Sequence, residues 1–395
     1  MISKKMEGLV KGSSVIRAMF EEGKALAKKY GKENVFDFSL GNPNVPAPKS
    51  VNENIKRIVD EEDPVVLHGY MSNAGYEDVR AAIAQSLNER FSTSFSEKNI
   101  VMTVGAAGGL NVALKSILDP QDEVIVFAPY FGEYKNYVSN FDGKLVEVNP
   151  NPPTFEPDYK DFENKISART KAVIINNPNN PTGVIYKKEW IEKVADILEK
   201  KQKEFNTCIY LISDEPYREL VFKDVEVPYL TKYYKNTIVG YSYSKSLSLP
   251  GERIGYLVVP TEADSFEELI AAMGVATRIL GFVNAPSLQQ KLIKTCLNEK
   301  TDIEAYNKNR IKLYEGLKAL GFECVEPEGA FYLFMKCPID DDKEFVKVAK
   351  EYNILLVPAS SFGVKGYVRI AYCVAYDTIV RSLDQFAKLA KRYNL

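Results

Sequence analysis

The chain of 395 residues is long enough for about two to three domains, and 45% of its side chains are hydrophobic, as in ordinary globular proteins. Its 51 basic and 53 acidic residues are scattered along the chain and give a net charge of −2, which argues against a general nucleic-acid or membrane-surface role. No apolar run is long enough to cross a bilayer, and the mixed-charge start lacks the pattern of a signal peptide. We therefore expect a cytosolic globular protein.

Histidine and cysteine usage restricts the possible chemistry. The only histidine is His68, so a multi-histidine metal site is impossible and a Ser-His-Asp triad could use that residue alone. The cysteines form no CxxC pair and are expected to be free thiols in a reducing compartment. They are Cys208, Cys296, Cys324, Cys337 and Cys373. We expect no metal site, and acid–base work in an enzyme would then fall to Lys, Tyr, Asp, Glu or a cofactor.

In chain order, the first predicted elements are a helix over residues 13–30, a short strand over 36–40 and helices over 51–59 and 76–91. From residue 100 to residue 259, short apolar runs alternate with helical segments. The predicted strands here cover residues 100–104, 123–127, 145–148, 172–176, 208–213, 237–241 and 256–259. The predicted helices cover residues 110–118 and 187–205. This alternation predicts an α/β fold with a mostly parallel sheet flanked by helices on both faces.

The pattern changes after residue 300, where helices are segregated from a few strands. Helices are predicted over residues 306–320 and 344–351 and at the end of the chain. The predicted strands cover residues 322–325, 330–335, 354–357 and 367–371. This part of the chain therefore predicts a smaller α+β unit.

Ligand sites in open α/β sheets gather beyond the carboxyl ends of strands, and several unusual stretches occupy that position here. The Gly-rich stretch around Ala106 and Ala107 would let backbone N–H groups approach an anion, or would serve tight strand–helix packing. Phe131 follows the strand at 123–127 and could stack on a planar ring or pack in the core. Asn180 lies in a turn fixed by two Asn-Pro steps and could present its amide to a ligand.

Two charged residues at strands are further candidates. Asp214 ends the predicted strand 208–213 and is either a helix N-cap or a counter-ion for a cationic ring nitrogen. Arg369 lies among strand residues, where a guanidinium is costly to bury unless it meets an anion. A substrate carboxylate suits its fork geometry, and a structural ion pair is the alternative.

Lys245 lies just beyond the strand at 237–241, with hydroxyl side chains before it and Arg253 eight residues after it. An amine that forms a carbonyl adduct needs a rigid strand end, a nearby anion site and little freedom. Lys245 is therefore a candidate to hold a cofactor aldehyde as a Schiff base, although a surface loop with serines would show the same local pattern.

Together and in this order, these stretches resemble the pyridoxal-phosphate (PLP)-dependent aminotransferases of fold type I, in the class I/II branch that includes aspartate aminotransferases. The resemblance extends from Gly41 to about Ala371. Its most specific combination consists of Asn180-Pro-Thr-Gly183, Asp214-x-x-Tyr217 and Ser242-x-x-Lys245 followed by Arg253. The resemblance implies PLP as the cofactor.

The resemblance also implies a domain organisation and a subunit arrangement. It implies a large PLP-binding domain over residues 49–290, a small C-terminal domain over residues 291–395, and an N-terminal segment over residues 1–48 that joins the small domain. Tyr70 matches the family tyrosine that reaches the cofactor phosphate of the partner subunit, which implies a homodimer with shared active sites.

The resemblance assigns roles to individual residues. Lys245 would hold the cofactor and then move the proton between the substrate and the cofactor. Asp214 would pair with the pyridinium nitrogen, and Tyr217 and Asn180 would hydrogen-bond the phenolic oxygen of the ring. Phe131 would stack on the ring. The residues implied to hold the phosphate are Ala106, Ala107, Ser242 and Arg253, and those implied to contact the substrate are Gly41, Asn180 and Arg369.

The implied function is that of an amino-acid aminotransferase, which exchanges an amino group between an L-amino acid, with aspartate as one candidate, and a 2-oxo acid such as 2-oxoglutarate. A PLP-dependent carbon–sulfur β-lyase of the same fold shares all of these residues. A PLP-binding regulator without catalysis is disfavoured, because no DNA-binding domain is appended. The amino donor stays open: some aspartate-using relatives carry a lysine where Ala107 stands, and Arg278 falls near a region where others place an arginine for the distal carboxylate.

Overall fold

The computed structural model describes residues 2–11 and 15–395. Its α-helices are α1 (Lys4–Lys11), α2 (Val15–Tyr30), α3 (Lys49–Glu61), α4 (Pro64–Leu67), α5 (Glu77–Phe91), α6 (Gly105–Ile117), α7 (Glu133–Asn140), α8 (Tyr159–Lys165), α9 (Lys188–Phe205), α10 (Tyr243–Ser246), α11 (Phe266–Ile279), α12 (Ser287–Thr295), α13 (Ile303–Ala319), α14 (Asp342–Glu351) and α15 (Tyr376–Arg392). Its strands are β1 (Phe36–Asp37), β2 (Ile100–Thr103), β3 (Glu123–Phe127), β4 (Lys144–Val148), β5 (Thr170–Asn176), β6 (Tyr210–Asp214), β7 (Thr237–Ser242), β8 (Gly255–Val258), β9 (Cys324–Val325), β10 (Tyr332–Lys336), β11 (Ile354–Leu355), β12 (Val357–Pro358) and β13 (Tyr367–Ala371). Within these residues, no helix is both long enough and apolar enough to cross a membrane.

A seven-stranded sheet forms the centre of the larger part of the molecule, with the strand order β2-β8-β7-β6-β5-β3-β4. In the described chain, β8 runs antiparallel to its neighbours β2 and β7, whereas the other pairs are parallel. The strands β2, β6, β7 and β8 are buried along their whole length, as is typical of a parallel sheet covered on both faces. The structure therefore confirms the predicted α/β fold with a mostly parallel sheet between helices.

Alternate residues of the strands pack against different helical layers, because successive side chains of a strand point to opposite faces. Val124 and Val126 of β3 belong to a core that includes residues of α6 and α11. Ile125 and Phe127 belong to a second core, which includes residues of α9 on the other face. Helices thus pack on both faces of the sheet, and this packing holds the ends of its strands rigidly in place.

The carboxyl ends of the parallel strands bring distant parts of the chain to one edge of the sheet. The strands β5, β6 and β7 end at Asn176, Asp214 and Ser242, and β2 ends beside them. Because β8 is antiparallel, its first residue, Gly255, is paired with Ser242. The loop that carries Arg253 therefore approaches the same edge.

The smaller sheet has the strand order β12-β13-β10-β9 and is antiparallel. The strand β1, near the start of the chain, pairs in parallel with β11 beside this smaller unit. This pairing is the contact expected if the N-terminal segment joins the small domain. The domain limits at residues 48 and 290 stay a prediction.

Some elements differ from the sequence prediction for local reasons. The predicted strand 354–357 is divided, because β11 pairs with β1 and β12 pairs with β13, so that the chain changes partner at Leu356. The helices α7, α8, α11 and α12 are among those absent from the prediction. The helices α7 and α8 have 8 and 7 residues, too few for a helical period to stand out, whereas α11 has 14 residues and was missed for another reason than its length. Neither difference moves a candidate site residue away from the edge of the large sheet.

Candidate active site

A cavity at the carboxyl edge of the large sheet gathers six of the predicted site residues. They are Ala106, Ala107, Phe131, Asn180, Asp214 and Tyr217. Leu110, Tyr137, Asn176 and Pro216 complete its lining. The six predicted residues come from four places that follow strands of the sheet: the start of α6 after β2, and the segments at the ends of β3, β5 and β6. The predicted convergence of these stretches is therefore found in the fold.

Lys245 lies on the short helix α10, directly after β7. The hydroxyl of Ser242 caps this helix by accepting a hydrogen bond from the Ser244 N–H, which fixes the turn that presents the lysine. The Lys245 Nζ donates to the carbonyl oxygen of Gly41 at 3.0 Å and lies 5.4 Å from the centre of the Phe331 ring. Burial lowers the pKa of Lys245 to about 8, and the charges of Arg253 and Arg369 act in the same direction. At pH 7 the neutral form of this amine is thus a minority, but a far larger one than for an ordinary lysine.

Asp214 ends β6 and is only 4% exposed. Its Oδ2 accepts hydrogen bonds from the Tyr134 hydroxyl at 2.5 Å and from Asn176 Nδ2 at 3.3 Å, whereas its buried Oδ1 has no partner among the described residues. Burial raises the pKa of Asp214 to about 7; the bonds from Tyr134 and Asn176 oppose the rise, and the charge of Glu215 adds to it. A buried carboxylate with one unpartnered oxygen suits a cationic donor in the cavity.

Arg369 projects from β13 and is 2% exposed. Its Nη1 donates to Asn180 Oδ1 at 3.1 Å and its Nη2 to the Ser39 carbonyl oxygen at 2.5 Å, and its buried Nε has no partner in the described chain. The rings of Tyr332 and Phe362 lie 4.6 Å and 5.1 Å from the guanidinium carbon. Among the described ion pairs, none joins Arg369 to a carboxylate, so the alternative of a structural ion pair finds no support. A buried guanidinium of this kind suits a carboxylate ligand.

A second guanidinium, that of Arg253, lies at the N-terminus of α6. Ala106 and Ala107 form the first turn of this helix, where backbone N–H groups have no intrahelical partner. Arg253 Nη2 donates to the Val104 carbonyl oxygen at 3.4 Å, and a Cβ on Gly105, which has a φ of +77°, would lie 2.8 Å from that Nη2. Unpaired N–H groups beside an exposed guanidinium are suited to a phosphate.

Gly41 and Tyr217 are linked through a third residue, Tyr332. A Cβ at Gly41 would lie 2.0 Å from the Tyr332 hydroxyl oxygen, so a side chain at this position could not be accommodated without moving that ring. The Tyr332 and Tyr217 hydroxyls are hydrogen-bonded at 2.9 Å. Glycine at position 41 is therefore explained by this close contact within the chain.

The structure places the remaining candidates as follows. Phe131 is half-buried and meets the Tyr134 ring edge-on, with 5.6 Å between the ring centres. The Ser242 hydroxyl is buried and hydrogen-bonded to the Ser244 hydroxyl at 2.8 Å. Tyr70 is 93% exposed and does not line the cavity of its own chain. Tyr70 is thus a candidate that no described contact of the single chain connects to the other site residues.

The sequence predicts no role for several residues that the site contains, among them Tyr134, Asn176 and Tyr332. Asn176 ends β5 and is paired in register with Asp214, so the end of its predicted strand was a signal that could have been used. Tyr134 lies three residues after Phe131, near the start of α7, in a stretch already singled out. Only the packing of the smaller sheet against the larger part reveals Tyr332.

The matches of this chain to known proteins include all the residues of the candidate site. A family model described as aminotransferase class I and II matches residues 33–384. The aspartate aminotransferase of Thermotoga maritima is 31% identical over 368 residues, which cover 92% of this chain and 93% of that protein. The crystal structure of an amino transferase from Eubacterium rectale has a TM-score of 0.97 and 49% identity, and the match covers 100% of both chains. The aspartate aminotransferase from Thermus thermophilus with maleate has a TM-score of 0.87 and 28% identity, over 98% of this chain and 99% of that one.

Proposed function

Because the chain belongs to the class I and II aminotransferases, we propose that it exchanges an amino group between an L-amino acid and a 2-oxo acid, with PLP as its cofactor. The exchange would be of the ping-pong kind, in which the 2-oxo product leaves before the second substrate binds. One observation carries the proposal, namely the links among three groups. Asp214, a buried carboxylate with an unpartnered oxygen, lines the same cavity as Asn180. Arg369 donates to Asn180, and burial together with the Arg369 charge lowers the pKa of Lys245.

The residues present fit the polar groups of PLP. The unpartnered Oδ1 of Asp214 would accept from the protonated ring nitrogen. The phosphate would be held by the N-terminus of α6, at Ala106 and Ala107, together with Ser242 and Arg253. Tyr217 and Asn180 would hydrogen-bond the phenolic oxygen, and Phe131 would stack on the ring. When bound, PLP withdraws electrons from the substrate α-carbon and so makes its proton acidic.

Lys245 would both hold the cofactor covalently and move the proton. Its lowered pKa keeps part of the amine neutral, as a nucleophile and a general base require. Its hydrogen bond to the Gly41 carbonyl oxygen holds the amine at the site. Once the substrate amine has taken its place, the Lys245 amine would remove the proton from the substrate α-carbon. Arg369 would orient that carbon by holding the α-carboxylate.

A half-reaction screen tests the proposal directly. The PLP-loaded protein is mixed with each amino acid in turn, without a 2-oxo acid, and its absorbance is followed. We expect the absorbance of bound PLP to be replaced by that of pyridoxamine phosphate with the true donors, and to return when 2-oxoglutarate or another 2-oxo acid is added. The order of the donors in this screen would also show whether aspartate is among the substrates.

The same screen separates the alternative function. A carbon–sulfur β-lyase would release pyruvate and ammonia from cysteine-type substrates and would leave the cofactor in its PLP form. The aminotransferase proposal is overturned in favour of the lyase if cysteine-type substrates give these products and none of the amino acids tried gives the pyridoxamine form.

We further propose that the protein acts as a homodimer in which Tyr70 serves the partner's site. Tyr70 is 93% exposed, and the neighbouring Val65 is 82% exposed, which is unusual for apolar side chains of a surface that stays in water. We expect sedimentation to give twice the chain mass. We expect Tyr70→Phe to weaken PLP binding while the dimer persists, because only the hydroxyl toward the phosphate is lost. A monomeric wild-type protein with full activity would contradict this arrangement.

Replacing Arg369 by alanine is expected to raise KM by about 10²-fold for every amino donor, because charge-assisted hydrogen bonds to the α-carboxylate are lost. Steady-state kinetics with a series of donors measures the effect. Arg369→Lys is the matched variant: it keeps the charge but loses the fork, and should recover only part of the affinity. If KM rises for dicarboxylic donors alone, Arg369 does not bind the α-carboxylate.

A further inference from the structure

Tyr332 lies where the smaller sheet meets the proposed active site. It begins β10 and is paired with Ala371 of β13, while Arg369 is two residues earlier on the same strand. Tyr332 and Arg369 are therefore diagonal neighbours on one face of the sheet. The Arg369 guanidinium carbon lies 4.6 Å from the centre of the Tyr332 ring. One side of this tyrosine thus packs against the proposed carboxylate-binding group.

The other end of Tyr332 reaches across to the larger part of the molecule. Its hydroxyl oxygen lies 2.9 Å from that of Tyr217, and both residues are buried. The hydroxyl also lies close to the backbone of Gly41, because a Cβ there would be 2.0 Å from the hydroxyl oxygen. Burial raises the pKa of Tyr332 to about 12, so its hydroxyl keeps its proton near neutral pH. Two protonated phenols in contact form a bond in which one donates and the other accepts.

We propose that Tyr332 is a positioning residue that donates its hydroxyl proton to Tyr217 and thereby directs the Tyr217 proton toward the phenolic oxygen of bound PLP. This inference rests on the proposed function. A phenol has a single proton, so Tyr217 can donate to the cofactor only if its own oxygen is the acceptor in the bond with Tyr332. A hydrogen bond received by Tyr217 also polarises its hydroxyl and strengthens the bond it donates onward.

The consequence concerns the nitrogen of Lys245 in the PLP-loaded protein. A stronger hydrogen bond to the phenolic oxygen stabilises negative charge on that oxygen. The proton on the nearby Lys245 nitrogen is then held less tightly, so its pKa is lower. Loss of the Tyr332 hydroxyl should therefore raise the pKa of the Lys245 nitrogen, although the described structure has no hydrogen bond between Tyr332 and that nitrogen, which donates to the Gly41 carbonyl oxygen.

The test is a pH titration of the absorbance of bound PLP in Tyr332→Phe. We expect the midpoint to rise by about half a pH unit or more, as loss of one hydrogen bond to a neutral hydroxyl would produce. Tyr372→Phe is the matched control, because Tyr372 is also buried but its hydroxyl donates to the Ala330 carbonyl oxygen at 3.2 Å. This control should leave the midpoint unchanged, and thermal unfolding of both variants confirms that they are folded.

The double variant shows whether Tyr332 acts through Tyr217. In a Tyr217→Phe background, Tyr332→Phe should add no further shift of the midpoint. An unchanged midpoint in Tyr332→Phe alone, or an equal shift in the Tyr217→Phe background, would overturn the inference and leave the proposed function standing. A wild-type chain that takes up no PLP would instead overturn the proposed function, and this inference with it.

Discussion

Replacing Lys245 by alanine is expected to lower kcat for transamination by at least about 10⁴-fold, because the covalent anchor and the general base are lost together. The helix α10 holds this amine against the Gly41 carbonyl oxygen, and in the described site no second lysine shares that position. Single-turnover kinetics with a reactive donor measures the loss. Borohydride reduction followed by mass spectrometry should find the mass of PLP on Lys245 of the wild-type chain and none on the variant.

The exposed Lys98 offers a control for the loss of a lysine as such. Lys98→Ala should keep both kcat and the covalently attached PLP at the wild-type level. Added ammonia or methylamine should restore part of the activity of Lys245→Ala but leave that of Lys98→Ala unchanged, because a small amine can replace a missing base. Covalent PLP at wild-type stoichiometry in Lys245→Ala would show that another lysine is the anchor.

The lowered pKa of Lys245 gives this assignment a pH dependence. Burial first, then the charges of Arg253 and Arg369, lower that pKa to about 8. At pH 7 about a tenth of the chains would carry a neutral amine, against about one in three thousand for an ordinary lysine. The rate at which cofactor-free protein takes up PLP covalently should therefore rise from pH 6 to pH 8 and level off above it. A rate that still rises steeply at pH 10 would indicate an ordinary exposed lysine.

Much of the site could be predicted from the sequence because of one property of parallel sheets. Strands that run in the same direction end at the same edge, so Asp214 and Asn180, which lie at or just beyond the ends of neighbouring strands, had to lie close together. Lys245 follows the next strand, β7, for the same reason. The approach of Arg253 could not be predicted in this way, because the apolar run at 256–259 does not show that β8 is antiparallel.

The contacts that hold the site residues in place could not be predicted from the sequence. The Tyr134 hydroxyl and Asp214 are 80 residues apart, and Tyr217 and Tyr332 are 115 residues apart. Tyrosines occur throughout this chain, and no local pattern distinguishes one that donates to a buried carboxylate from one that packs in a core. The choice between a helix cap and a ring counter-ion for Asp214 also required the structure, which shows its Oδ2 bonded to side chains and its Oδ1 without a partner.

Replacing Asp214 by asparagine is expected to lower kcat by about 10³-fold at saturating donor, with a much smaller change in KM. The amide has nearly the shape of the carboxylate and can still accept from Tyr134, but it carries no charge to keep the ring nitrogen of PLP protonated. The pKa of Asp214, raised to about 7 mainly by burial, means that the carboxylate needs a cation to ionise fully. Bound PLP would supply that cation through its ring nitrogen.

Tyr134→Phe distinguishes the charge of Asp214 from the bonds that orient it. This variant removes the 2.5 Å hydrogen bond to Oδ2 but keeps the carboxylate and the bond from Asn176, so we expect a loss of about tenfold in kcat. Absorbance at saturating PLP ensures that each variant is loaded, and kcat is then compared under identical conditions. If Asp214→Asn with PLP bound keeps a kcat within threefold of the wild type, the carboxylate does not act on the ring. If Tyr134→Phe is as damaging as Asp214→Asn, orientation by Tyr134 matters as much as the charge, because the charge without that bond then fails to sustain the reaction.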